Sequence, residues 1–119
     1  MHHVQSSSLV QTDAPVDNHG NGERFSPTDL VSTALASCAM TIMGIAAKTH
    51  HIALNHLKAE VTKGMSAAPR KISRVEVNFE LSNDLTPKER AILENAAKTC
   101  PVALSLHPDV EQLMTFAYV

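Results

Sequence analysis

Aromatic side chains are scarce in this sequence: no tryptophan, one tyrosine and three phenylalanines among 119 residues. A base-stacking surface for single-stranded nucleic acid needs such rings, so that class is excluded. The core must instead be assembled from Ala, Val, Leu, Ile and Met. An excess of one charge sign is missing as well. Ten basic and twelve acidic residues leave a formal charge of −2, which offers no electrostatic footprint for nucleic acid or an anionic membrane. The opening MHHVQSSSLVQTDAP lacks the basic stretch and apolar run of a secretory signal. Only two cysteines occur, in a chain long enough to build its own core. A secreted disulfide scaffold is therefore not expected, and the expected compartment is the cytoplasm. One uncharged run, Val31 to Ala47, approaches the length of a membrane span. It is rich in Ala, Ser and Thr rather than Leu, and is expected to be a buried helix, with no membrane partner.

What is present can be placed on elements. Val4 to Thr12 reads as a strand interrupted by Ser6-Ser7-Ser8, ended by Asp13-Ala14-Pro15. Asp17 to Gly22 is a loop of residues that tolerate positive φ. Ser26 then provides an N-cap and Pro27 a first helical residue, with Asp29 at the positive end of the helix dipole and Lys48 at the negative end. Nearly every face of this helix is apolar or small, as expected of a helix surrounded by protein. In a chain this small, that enclosure calls for a second subunit.

A hairpin is expected next. Leu57, Ala59 and Val61 alternate with polar residues, and after a turn around Gly64 to Pro69 so do Val75, Val77, Phe79 and Leu81. Thr86, Pro87 and Glu89 form a capping box for a second helix. Its apolar residues Ile92, Leu93, Ala96 and Ala97 place Cys100 toward the core. Pro101 breaks that helix and starts a short third one with Cys100 at or beside its N-cap. Val110 to Val119 is a last strand. The order strand, helix, hairpin, helix, strand defines an α+β fold, in one domain spanning 1–119.

Cys38 and Cys100 are the only pair with plausible reactivity, and three readings compete. Both can be small core hydrophobes, since free cysteine is often buried. They can form a structural disulfide, which the compartment disfavours. Or they can be a redox pair, in which one thiolate meets an oxidant and the second thiol resolves the product. The dipole of the third helix favours a thiolate at Cys100. Cys38 lies among Ala34, Leu35, Thr41 and Ile42, an apolar setting that works against a thiolate unless a cation from elsewhere assists. The histidines are not arranged as a metal site: His50, His51 and His56 cluster without an HExxH or paired CxxC pattern. GNGERF lacks the lysine and spacing of a phosphate loop.

TDAPVDNHGNGERFSPTDLVSTALASC resembles the segment leading to the first cysteine of the OsmC/Ohr family of osmotically inducible and organic hydroperoxide resistance proteins. Lys98-Thr99-Cys100-Pro101-Val102 resembles the family's second cysteine motif. The resemblance implies an antiparallel sheet with a long buried central helix, in an intertwined homodimer whose active sites lie at the interface. It implies thiol-dependent reduction of organic hydroperoxides, with Cys38 peroxidatic, Cys100 resolving, a dithiol reductant, and neither metal nor organic cofactor. The alternative it leaves is a non-catalytic member that binds a small apolar ligand at the interface.

Two positions depart from the family pattern. The family places a Glu directly after the proline, where this chain has Thr28. The adjacent Asp29 falls about 180° around a regular helix from Cys38. The family's activating Arg comes from N-terminal strands that this chain is expected to lack, and Arg24 is the only arginine before Cys38. Arg24 and Asp29 are accordingly the auxiliary candidates beside the two cysteines.

Overall fold

The computed structural model describes all residues, 1–119. Residues Met1–Val31 and Ser32–Val119 form two compact units.

In the first unit the expected strand over Val4–Thr12 does not form. The segment makes only isolated bridges, His2 with Leu9 antiparallel and Thr12 with Phe25 parallel. The cause is local: Ser7 takes a φ of 61°, and the main-chain N–H groups of Ser6 and Ser8 donate to the His3 ring and the Ser6 hydroxyl. Short polar side chains that bond nearby main chain compete with a sheet ladder. The Asp-Ala-Pro turn is a staple. One carboxylate oxygen of Asp13 accepts the N–H groups of Asn21 and Glu23, each at 3.2 Å, and the Gly22 N–H donates to the Ala14 carbonyl. A Cβ on Gly20 would overlap that same carbonyl group, so glycine is required there for close approach.

Helix α1 runs Pro27–Thr49. Its start is a reciprocal cap: the Ser26 N–H donates to the Asp29 carboxylate at 2.9 Å, and the Asp29 N–H donates to the Ser26 hydroxyl at 3.0 Å. A cap of this kind stabilises a helix by about 1 kcal/mol. The helix is long and apolar enough to cross a membrane by length and composition. Within the second unit, however, one face belongs to a protein core: Leu35, Ala36, Ala39, Met43 and Ala47 are buried. The expected enclosure on every side is not met within one chain, because Ala34, Thr41, Gly44 and Ile45 on the other side are exposed.

Strands β1 (Leu57–Ala67) and β2 (Arg70–Leu81) make the expected hairpin, longer than its alternation indicates. Gly64 is not part of the turn but marks a register slip between Gly64 and Met65, and the turn itself is Ala68-Pro69. Helix α2 (Pro87–Lys98) carries both capping-box bonds, Thr86 N–H to Glu89 Oε1 at 3.0 Å and Glu89 N–H to Thr86 Oγ1 at 3.2 Å. Helix α3 (Pro101–Ser105) follows, and then β3 (Glu111–Tyr118).

The sheet has the order β1-β2-β3. It is mixed, not wholly antiparallel: β3 pairs with β2 in parallel, Arg74 opposite Glu111 through Leu81 opposite Tyr118. The two helices between β2 and β3 form the long crossover that parallel pairing requires. One sheet face, with Val75, Val77, Phe79 and Leu81, joins Leu35, Ala39 and Met43 of α1 and Leu93 and Ala97 of α2 in a single buried cluster. The opposite face carries polar pairs such as Thr115 Oγ1 donating to Asn78 Oδ1.

Aromatic residues concentrate where β3 meets α2. Phe116 stacks on Phe79 with centroids 5.2 Å apart, and Lys98 Nζ lies 5.6 Å above Phe116. The Tyr118 hydroxyl donates to Glu94 Oε2 at 2.6 Å, and the Arg90 guanidinium sits 4.0 Å over its ring. Burial and the bond to Glu94 push the Tyr118 phenol far above its ordinary value, with Arg90 opposing. A raised phenol contributes stability that is complete below the ordinary tyrosine range and is lost as pH climbs through the folded value. Because this is the only tyrosine, an alkaline ultraviolet titration should show no phenolate until the chain unfolds. Ionisation at about pH 10, the free-tyrosine range, in the folded protein would contradict this assignment.

Candidate functional site

The second unit brings two of the four expected site residues together. Cys38 lies near the middle of α1, on the border between its buried stripe and its exposed side. It is partly exposed and packs against the edge of the core cluster. Helical geometry explains the position: Leu35, Ala39 and Met43 turn inward, and Cys38 flanks that stripe. Both thiols are free, and Cys38 packs against the same core cluster that holds Cys100, near enough to act on the Cys100 thiol.

Cys100 is fully buried, at 0% exposure. Pro101 fixes its backbone in an extended conformation, φ −66° and ψ 154°, which suits the residue before a helix. The sulfur thereby becomes the N-cap of α3 and accepts the Ala103 N–H at 3.5 Å. Burial pushes the Cys100 thiol up, and the neighbouring Cys38 adds to this. The main-chain N–H groups of Ala103 and Val102 pull the other way without overcoming it. The dipole effect expected from sequence is thus present and outweighed by desolvation. At neutral pH Cys100 is a protonated thiol beside a more accessible one. That asymmetry suits a pair in which the exposed sulfur meets a reagent and the buried one follows.

Helix α3 is too short to be stable alone and is anchored from β3. Gln112 Nε2 donates to the Ala103 carbonyl at 2.9 Å. Within α3, the Ser105 hydroxyl donates to the Pro101 carbonyl at 2.7 Å. Gln112 was not visible as a site residue in the sequence. Its signal is positional, since a glutamine three residues after Asp109 gains meaning only once the crossover returns β3 beneath α3.

The two auxiliary candidates make their bonds in the first unit. Arg24 Nε donates to Gln11 Oε1 at 3.1 Å and its Nη1 donates to the Glu23 carbonyl at 2.8 Å. Asp29 serves the α1 cap. Thr28, at the position that departs from the family pattern, shares a hydrogen bond with the Ser26 hydroxyl at 3.2 Å. Among the histidines, His56 shares a hydrogen bond with Glu80 at 2.9 Å on the polar side of the hairpin.

An α+β domain with one free thiol on a long helix and a second at a Pro-led helix start defines a class of two-cysteine proteins. The sequence model described as OsmC-like protein matches residues 20–112, and the chain belongs to that family. Among solved structures, a Psychrobacter arcticus protein assigned to the osmotic-stress and detoxification response is 49% identical. The match covers 97% of this chain and 84% of that one, with a TM-score of 0.91. An organic hydroperoxide resistance protein, OsmC, of Legionella pneumophila has the same fold at 17% identity, with 95% and 85% of the two chains covered and a TM-score of 0.79. An organic hydroperoxide resistance protein of Elizabethkingia anophelis is 18% identical over 97% and 85%, with a TM-score of 0.75. No curated protein matches the chain in sequence.

The thiol assignment has a pH signature. A thiol raised by folding contributes stability that is complete below the ordinary thiol range and lost as pH rises through the folded value. In a Cys38→Ser variant, thiolate ultraviolet absorbance from Cys100 should appear only above the free-thiol value of about 8.5. A midpoint below that value would mean that the Ala103 N–H, not burial, governs the sulfur.

Proposed function

We propose that this chain is a thiol-dependent peroxidase that reduces organic hydroperoxides in the cytoplasm, as part of the defence against oxidative stress. The observation that carries the reading is a partly exposed Cys38 packed against the core cluster that holds a fully buried, free Cys100 thiol. Membership of the OsmC-like family, and relatives described as organic hydroperoxide resistance proteins, support the same class.

In the proposed cycle the Cys38 thiolate attacks one oxygen of the hydroperoxide. The O–O bond breaks, the alcohol leaves after taking up a proton, and Cys38 becomes a sulfenic acid. The Cys100 thiol then displaces the hydroxyl of that sulfenic acid. A disulfide forms, and the Cys100 proton departs in the water released. A dithiol reductant restores both thiols by exchange. No metal or organic cofactor takes part in these steps. We further propose assembly as a homodimer, which covers the exposed side of α1. Ile45 there is 56% exposed, and Leu104 on α3 is 73% exposed, as suits residues awaiting a second copy.

Two measurements test this. Intact mass spectrometry after one equivalent of an organic hydroperoxide should show the loss of two hydrogens in the wild type and no disulfide in Cys38→Ser. Cys100→Ser should instead accumulate oxygen adducts on Cys38. An unchanged mass under excess peroxide would end the reading. Separately, Ile45→Asp is expected to convert the dimer to monomer in sedimentation and to slow peroxide consumption at least roughly tenfold, by placing a desolvated charge in an apolar interface. A wild-type protein that sediments as a monomer would remove the dimer from the proposal.

A further inference from the structure

The crossover connection leaves α3, a five-residue helix, holding one of the two sulfurs, and a single side chain from another element hydrogen-bonds to its backbone. Gln112 on β3 donates its amide N–H to the Ala103 carbonyl at 2.9 Å. Ala103 is itself the residue whose N–H is directed at Cys100 Sγ, at 3.5 Å. One residue thus stands between β3 and the sulfur, held on its carbonyl side and holding the sulfur on its amide side. Ala103 is buried and its bond to Gln112 is partly buried, so a carbonyl that loses this donor is only partly compensated by water. The sheet side of this tether is firm. Gln112 pairs in register with Val75 of β2, which is fully buried.

We propose that Gln112 is a positioning residue for the disulfide-forming step: it locks α3 against β3 and so fixes the Cys100 thiol opposite Cys38. This rests on the two-cysteine reading above. Gln112 touches neither the hydroperoxide nor either sulfur, and its effect falls on one step only. Attack of Cys38 on the peroxide forms no bond to Cys100. Condensation of the Cys38 sulfenic acid with the Cys100 thiol, which forms the S–S bond and releases water, depends on where α3 holds that thiol.

The test uses full-length Gln112→Leu and Gln112→Glu. The first replaces the amide with a shorter, apolar side chain that cannot donate. The second keeps the size of glutamine but presents a carboxylate, which cannot donate to the Ala103 carbonyl. In single-turnover reactions with cumene hydroperoxide, both variants should consume peroxide at the wild-type rate. Both should close the disulfide roughly five- to tenfold more slowly, the effect of losing about one buried hydrogen bond. The Cys38 sulfenic acid, trapped by dimedone, should rise accordingly. Wild-type disulfide closure in both variants overturns the proposal. So does wild-type closure in Gln112→Glu alone, which would make side-chain size, not donation, the cause. A variant slowed equally in both steps would show general damage to the fold and also overturns it.

A second readout does not need peroxidase activity. In a Cys38→Ser background, labelling of Cys100 by a disulfide reagent should be roughly five- to tenfold faster with Gln112→Leu than with Gln112, with the thermal midpoint lowered by only a few degrees. Equal labelling rates would remove the tether even if the wild-type protein turned over no hydroperoxide. Faster labelling without any peroxide turnover would keep the tether and refute the peroxidase instead.

Discussion

The structure depends on how one helix divides its apolar surface. Helix α1 has more apolar residues than a three-stranded sheet and two short helices can cover. Leu35, Ala39 and Met43 enter the core, and the methyl side chains of Ala36, Ala39 and Ala47 keep the buried stripe narrow. The remaining circumference stays apolar and uncovered. Cys38 lies on the dividing line. A residue one position further round would be either sealed in the core or fully in the open, and in neither place could a sulfur both meet a reagent and reach a buried partner.

The second thiol is governed by a different balance. Cys100 receives main-chain N–H groups at a helix start, an arrangement that ordinarily favours a thiolate, and yet it remains a thiol because the site is dry. Desolvation of a charge outweighs a long, 3.5 Å interaction with a neutral N–H. The two cysteines are therefore set apart by burial, not by sequence context. The protonation state of Cys100 could not be assigned from its neighbours in the chain alone.

Local rules were legible wherever they acted locally. Thr86, Pro87 and Glu89 specify the start of α2, Pro101 specifies the break that makes Cys100 a cap, and the alternation of Val75, Val77, Phe79 and Leu81 specifies the inner face of β2. The family resemblance carried by the two cysteine motifs anticipated the family that the comparisons show. What escaped the sequence is of two kinds. The Val4–Thr12 segment alternates well enough for a strand, but the serines satisfy their own main chain and the ladder never forms. The direction of β3 is not encoded in β3 at all: the same alternating residues would serve an antiparallel strand, and only the length of the crossover decides. Gln112 was invisible for the same reason, since its partner is defined by that crossover. Asp29 was read as a dipole partner and site candidate, and its carboxylate closes a cap with Ser26.

The place of β3 after the crossover also governs the order in which these contacts can form. During synthesis α1 and the hairpin emerge first, with Cys38 already displayed, while α3 has no sheet to rest on. The parallel partner of β2 follows α3 in the chain, and its pairing spans the whole crossover, a non-local contact that is slow to form. Until Tyr118 has left the ribosome, α3 has neither Gln112 beneath it nor Phe116 beside the end of α2. The tether on α3 thus forms only once β3 has paired with β2.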